Sequence, residues 1–228
     1  MNNDTKNTKE AWEDFYERGK GAKYPDNDII KIVRKAFKNA EDISKIKILD
    51  LGCGMGNHLW FLAKEGFDAY GVDISEFATR TAENFLKKEN LSAYLKAGDF
   101  RNLDYPDGYF DGVVCSRSIE ANAIEDIKKI LKEVHRILKP NGKFLSEMIS
   151  DETYFFKDNE MIEKNTTKCT KALKRGGIMH FFTREEIYNL LEEAGFKNIS
   201  VEYVARSSNN LENITKFWIV EAEKLKIY

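Results

Sequence analysis

The chain has 228 residues, 42% of them hydrophobic and 12% aromatic, enough for one substantial core in one domain with embellishments. Its 36 basic and 38 acidic side chains leave a formal charge of −2, which argues against a nucleic acid or an anionic membrane as partner. Cys53, Cys115 and Cys169 are odd in number and far apart, which indicates neither a disulfide framework nor a zinc site. The polar opening Met1-Asn2-Asn3-Asp4 and the lack of any apolar run near ~20 residues lead to the expectation of a cytoplasmic protein without a membrane span.

Thr8 to Arg18 carries Trp12, Phe15 and Tyr16 at helical spacing, and Gly19-Lys20-Gly21 breaks the pattern. Asp26 stands where it would cap a second helix with Ile29, Ile30, Val33 and Phe37 on its apolar side. From Ile46 onward strands and helices alternate: a strand to Leu51, a helix to Glu65, a strand from Asp68 to Val72, and a helix opening at Ser75. This repetition predicts a parallel sheet. Ser92 to Ala97 reads as a third strand and Phe110 to Cys115 as a fourth, entered through the turn Tyr105-Pro106-Asp107-Gly108.

A long helix bearing Ile127, Ile130, Leu131 and Val134 follows, with Pro140-Asn141-Gly142 as its expected stop and Lys143 to Ile149 as the fifth strand. Asp151 to Phe182 breaks the alternation. It is charged, irregular and long for a connection, and is read as a substrate lid. Thr183-Arg184-Glu185-Glu186 is a capping box for a helix closed by Gly195. Ile199 to Arg206 and Thr215 to Ala222 are strand-like, and their short link predicts an antiparallel pair.

The most informative stretch is Ile46-Lys47-Ile48-Leu49-Asp50-Leu51-Gly52-Cys53-Gly54-Met55-Gly56-Asn57, a buried strand that breaks into a glycine-rich turn and opens a helix. Such a turn brings backbone N–H groups against a nucleotide. A dinucleotide fingerprint wants glycine at the first, third and sixth places, whereas here the glycines take the first, third and fifth and Asn57 is sixth. One strand later comes Gly71-Val72-Asp73-Ile74-Ser75. Together these runs resemble the signature of class I S-adenosylmethionine-dependent methyltransferases, and the element order from Lys45 to Glu223 is similar to that family's whole core.

The resemblance implies an α/β fold: a doubly wound, seven-stranded, mostly parallel sheet whose antiparallel last strand lies between the fifth and sixth. In that scheme residues 1–44 are helices capping the cofactor site, 45–150 the cofactor-binding core, 151–182 a lid, and 183–228 the helix and strand pair completing the core.

In an open parallel sheet the ligand lies beyond the carboxyl ends of the strands. The resemblance implies that the Gly52, Cys53, Gly54 and Gly56 backbone runs under the cofactor, that Asp50 orders the loop and the α-amino group, and that Ser116 lies beside the methionine part. Asp73, about twenty residues beyond the loop, suits two ribose hydroxyls, or alternatively caps the Ser75 helix. Ile74 and Phe100 would sandwich the adenine, or serve as core, and the resemblance implies that Asp99 accepts the adenine amino hydrogen. Three acids near one ligand fit hydroxyls, an amine and a sulfonium better than a pyrophosphate, which they would repel.

Methyl transfer from a sulfonium is an in-line displacement that needs alignment more than a catalytic constellation. His180 is the base candidate, with a structural histidine as the other reading, while packing explains His58. Trp12, Tyr16 and Tyr24 are candidates to close over the cofactor, by cation–π attraction or as a docked helix face. Arg117 and Glu120 either bind substrate or form a surface ion pair. Lys164, Lys168, Lys171, Lys174 and Arg175 either select an anionic acceptor or form a solvated lid surface.

The function expected is therefore methylation of a small molecule at oxygen or nitrogen with S-adenosylmethionine as cofactor and no metal. An NAD-dependent oxidoreductase and a non-catalytic nucleoside-binding protein are the alternatives.

Overall fold

The computed structural model describes residues 3–156, 160–168 and 177–226. Cys169, Lys171, Lys174 and Arg175 lie outside them. In chain order the elements are α1 (Asn3–Glu17), α2 (Asn27–Ala36), β1 (Lys47–Leu51), α3 (Asn57–Glu65), β2 (Asp68–Asp73), α4 (Glu76–Lys88), β3 (Tyr94–Ala97) and β4 (Phe110–Ser116). There follow α5 (Ile124–Ile137), β5 (Leu138–Ile149), β6 (Met161–Glu163), β7 (Thr166–Lys168), β8 (Ile178–His180), α6 (Arg184–Glu193), β9 (Lys197–Ser208) and β10 (Asn213–Glu223).

Seven strands form one sheet in the order β3-β2-β1-β4-β5-β10-β9. β1 to β5 run parallel, and β10 is antiparallel to both β5 and β9. The sheet, with the last strand in chain order set between β5 and β9, is the one the family resemblance implies. Helices cover both faces, which is why the central strands are near-continuous apolar runs. Period-two alternation splits neighbours between two cores. Leu49, Val113 and Phe144 face the α5 and α6 side, while Ile48, Val114 and Leu145 face α2 and α3. Phe110, Phe144 and Phe196 are fully buried, and truncating any of them to alanine would cost about 3–5 kcal/mol.

Local signals account for most boundaries. Ser75 Oγ accepts the Ala78 N–H and Thr183 Oγ1 the Glu186 N–H, so both caps are made as the sequence predicts. Two features differ from expectation. Pro140-Asn141-Gly142 does not stop a helix: α5 already ends at Ile137, the fully buried Leu138 is extended, and the triplet is an irregularity within β5. The β4–β5 register jumps there from Phe110↔Leu138 to Gly112↔Lys143, with Asn141 left-handed at φ 66°. The segment after Ile149 is also less irregular than its charge suggests. β6, β7 and β8 form a small antiparallel sheet, with Thr166 and Thr167 buried beneath the charged residues. A bridge between Ser150 and Phe182 draws the base of the segment together. Among the described residues no helix is long and apolar enough to cross a membrane.

Candidate functional site

The glycine turn is fastened to the neighbouring strand. The Gly52 and Cys53 N–H groups both donate to the Val72 carbonyl, at 2.8 and 3.0 Å. At Gly52 (φ 81°) an added Cβ would lie 2.2 Å from Ser118 Oγ, and at Gly54 (φ 49°) it would lie 2.8 Å from the Tyr16 hydroxyl. Only glycine fits either place. Gly56 is left-handed too and forms the N-cap of α3, one step removed from the open space above the turn.

Carboxylates converge on this turn. Asp73 is buried, with Oδ2 accepting the Gly54 N–H and Oδ1 the Ser75 N–H, each at 2.9 Å. Burial pushes its carboxyl up to about 6 against the lowering pull of those two N–H groups. Since Ser75 supplies the α4 cap itself, Asp73 is left to the turn and to the space beside it. Asp50 lies buried under the turn, also pushed up to about 6 by burial, with His58 and the Leu59 N–H pulling it down. Its Oδ2 is buried without a hydrogen-bond partner among the described residues. The Cys53 thiol is raised by burial and the two acids, which makes it inert.

Two chambers open above the turn and share Trp12, Tyr16, Gly52 and Ser118 along their border. The first, of about 280 Å³, is lined by Asp73, Ile74, Asp99 and Phe100. Asp99 is chelated by Arg101, whose Nε lies 2.9 and 3.1 Å from its two oxygens and whose Nη1 reaches Asp126 Oδ2 at 2.7 Å. Burial would raise the Asp99 carboxyl, but the Arg101 guanidinium and N–H hold it below the usual carboxylate range. The second chamber, of about 390 Å³, takes in Cys53, Gly54, Ser116, Arg117 and Glu120 on one side and Phe155, Met179 and Phe217 on the other. The segment 151–182 thus contributes to both, through Ile162, Glu163 and Ile178 in the first and Phe155 and Met179 in the second.

The N-terminal helix reaches the same border. Trp12 and Tyr16 stack with ring centroids 5.5 Å apart, and Glu13 accepts the Phe77 N–H at 3.2 Å, which seats α1 on the first turn of α4. Tyr24 does not join them. Its ring is 70% exposed under Lys23, and its backbone carbonyl instead accepts from Asn57. His180 is also absent from both linings. It is fully buried in the small sheet, with Nδ1 2.7 Å from Thr166 Oγ1 and Nε2 3.0 Å from Glu186 Oε2, so both ring nitrogens are engaged away from either chamber.

At the second chamber Arg117 and Ser116, both named from the sequence as site residues, are joined by Asp26, His58 and Glu147, which were not. Asp26, the N-cap residue of α2, makes no side-chain cap. Its Oδ2 pairs instead with Arg117 Nη2 and lies 3.4 Å from both Ser116 Oγ and His58 Nε2, while its N–H donates to His58 Nε2 at 3.1 Å. Burial raises the Asp26 carboxyl, but His58 and Arg117 bring it down to about 2. Behind Arg117 lies Glu147, fully buried on β5, with Oε1 3.3 Å from Arg117 Nε. Of the three not so named, His58 alone has a positional signal, its place at the start of the helix that follows the glycine turn.

A methyltransferase-domain family model matches residues 22–201. The chain is 30% identical over 169 residues to a sterol 24-C-methyltransferase of Gibberella zeae, covering 72% of this chain and 43% of that protein. It is 26% identical over 164 residues to a ubiquinone biosynthesis O-methyltransferase of Rickettsia felis, covering 68% and 66%. It spans about half, or less, of the length of the sterol methyltransferases it matches. Among solved structures, an S-adenosylmethionine-dependent methyltransferase from Methanosarcina mazei superposes with a TM-score of 0.70 at 24% identity, over 86% of this chain and 98% of that one. The 1,6-didemethyltoxoflavin-N1-methyltransferase of Burkholderia thailandensis, solved with its substrate and S-adenosylhomocysteine, gives 0.72 at 15% identity over 97% and 89%. At these identities the two superpositions speak for the fold.

Proposed function

Because the chain belongs to the class I S-adenosylmethionine-dependent methyltransferases, we propose that it transfers a methyl group directly to oxygen or nitrogen of a small-molecule acceptor. The observation that carries this reading is the pair of chambers meeting over one glycine turn, the first rich in carboxylates and the second faced with apolar side chains. The nucleoside of the cofactor suits the first chamber on chemical grounds, and its methionine end crosses the border at Gly52 toward Cys53, Gly54 and Ser116 in the second. Asp73 keeps free lone pairs beyond its two N–H bonds for ribose hydroxyls, the turn presents bare backbone because Ser118 and Tyr16 leave no space for a Cβ at Gly52 or Gly54, and Asp50 has an orphan buried oxygen beneath it.

In this reading Ile74 and Phe100 flank the adenine, Asp99 meets its edge, and Ser116 lies beside the methionine part. When bound, the cofactor supplies a methyl group on a cationic sulfur, open to displacement from the opposite side. Trp12 and Tyr16, on the border between chambers, put aromatic rings near that charge, an attraction worth about 0.5–2 kcal/mol. The second chamber holds the acceptor in line and excludes water. Alignment at about 3–3.5 Å supplies much of the rate. A base is needed only for an acceptor that starts protonated. His180, with both nitrogens spoken for, serves the lid sheet in this scheme.

The names of the relatives, which include sterol and ubiquinone-biosynthesis methyltransferases, support a small organic acceptor. The charge of −2 supports an enzyme without nucleic acid as partner. Calorimetry with S-adenosylhomocysteine tests the reading. Binding at micromolar concentration is expected, and none at millimolar would overturn it. Transfer of labelled methyl from S-adenosylmethionine into a metabolite extract separates an enzyme from a nucleoside-binding protein, and a parallel NADH titration is expected to stay flat.

A further inference from the structure

Arg117 occupies an unusual position. It follows β4 in the left-handed region at φ 53°, where a non-glycine residue is held only by its surroundings. Those surroundings are two carboxylates and a ring. Nη2 pairs with Asp26, Nε lies 3.3 Å from Glu147, the guanidinium sits 5.7 Å from the centroid of Phe217, and the Arg117 N–H donates to the Glu147 carbonyl at 2.9 Å. The Nη1 group has no partner among the described residues, and Arg117 lines the second chamber. Its side chain is 37% exposed while those of Asp26 and Glu147 are 14% and 0% exposed, so the cation stands in front and the anions behind.

Two features of this arrangement bear on the acceptor. A planar guanidinium hydrogen-bonded to Asp26, with Glu147 3.3 Å from Nε but not hydrogen-bonded to it, offers a held donor edge with less entropy to lose than a free arginine. Its charge faces Asp26 and Glu147, on both of which Arg206 also acts, and Lys20 and Glu120 are the other charged residues lining the chamber. A carboxylate placed on the free edge would feel Asp26 and Glu147 just behind, and an ammonium would meet the guanidinium first. The body of the chamber is apolar, with Ile149, Phe155, Met179 and Phe217 coming from β5, the lid segment, β8 and β10. Burying an apolar group there is favourable, whereas an unpaired charge is not.

We infer that Arg117 recognises the acceptor, and that this acceptor is an uncharged molecule with an apolar body and a hydroxyl or carbonyl oxygen placed on the free guanidinium edge. The inference rests on the methyltransferase reading and narrows its acceptor class. Asp26 and Glu147 are positioning residues that aim the guanidinium and screen out charged molecules.

Four probes with one shared body test it: 2-naphthol, naphthalene, 2-naphthoate and 2-naphthylmethylammonium, titrated by NMR into the protein with and without saturating S-adenosylhomocysteine. The wild type is expected to bind 2-naphthol about tenfold or more tighter than the other three, as one hydrogen bond to a charged group allows. Arg117→Met is expected to erase that preference and Arg117→Lys, which keeps the charge and loses the fork, to reduce it.

Equal binding of naphthol and naphthalene, a preference for either charged probe, or a naphthol preference that survives in Arg117→Met overturns the inference. Should Arg117→Met fail to fold, the wild-type panel and the lysine variant decide, and an undiminished preference in the latter counts against it. Failure of S-adenosylhomocysteine itself to bind would sink the methyltransferase reading instead, so the two failures are distinct.

Discussion

The two chambers differ in what builds them. The first has one wall made from the carboxyl ends of β1, β2 and β3 and the turns that follow, closed by α1, the start of α5 and the lid segment. The second is finished by pieces from far apart in the chain: the loop before α2, the β4 end, the lid segment and β10. The carboxylate wall of the first is fixed by the sheet. The other depends on pairings such as Asp26 with Arg117, 91 residues apart, which no local pattern announces. A fold can therefore keep its first chamber while the second is rebuilt around a different acceptor.

The strongest test of the first chamber is Gly52→Ala, which sets a Cβ 2.2 Å from Ser118 Oγ on a left-handed backbone. It is expected to cost about 3 kcal/mol in urea unfolding and to weaken S-adenosylhomocysteine binding about a hundredfold. Retention of both would mean that the turn is not the cradle. Next comes Asp73→Ala, with a loss of about 1–3 kcal/mol of calorimetric affinity; unchanged affinity would take the ribose away from this residue.

The same carboxyl gives a pH test. In the free protein burial holds Asp73 and Asp50 up at about 6. Ligand hydroxyls favour the ionised form, so affinity is expected to fall as pH drops below 6, by up to about tenfold per unit for each proton taken up. Asp73→Asn should flatten that fall, leaving only the share of Asp50. Stability of the free fold runs the other way. The native chain keeps protons that the unfolded chain releases between roughly pH 4 and 6, so these two groups destabilise it as pH rises through that window.

His180→Leu probes the boundary between lid and chemistry. Leaving Thr166 and Glu186 without their partner is expected to lower stability by about 1–3 kcal/mol, with the shape of the pH–rate profile unchanged. Loss of a limb of that profile would return His180 to the reaction. The smallest effect belongs to Tyr24→Ala, expected within about 0.5 kcal/mol of wild type in both stability and cofactor affinity because the ring is exposed.

The same contrast explains what could be read beforehand. Gly52, Gly54, Asp73, Ile74, Asp99 and Phe100 were legible because strand-end positions follow from local periodicity and the glycine spacing. All six line one chamber or the other. Asp26 was legible only as a cap, since aspartate before a helix carries that signal whatever its carboxylate does in three dimensions. Glu147 lay in an apolar run and His58 on a helix with ample packing reasons, so neither stood out. Pro140-Asn141-Gly142 misled for a similar reason: a proline and glycine pair marks a break in backbone pairing, and only the neighbouring strands decide which element is broken.

The placement of β10 also bears on synthesis. A chain emerging from the ribosome delivers β9 before the strand that joins it to β5. Until Asn213–Glu223 arrives, one edge of β5 has no neighbour and the long strand β9 has nowhere in the main sheet to attach. β10 pairs with β9 as a hairpin across a short link, so the closing event is the docking of the β10 edge on β5, a non-local step that leaves β5 exposed to pairing with other chains in the meantime.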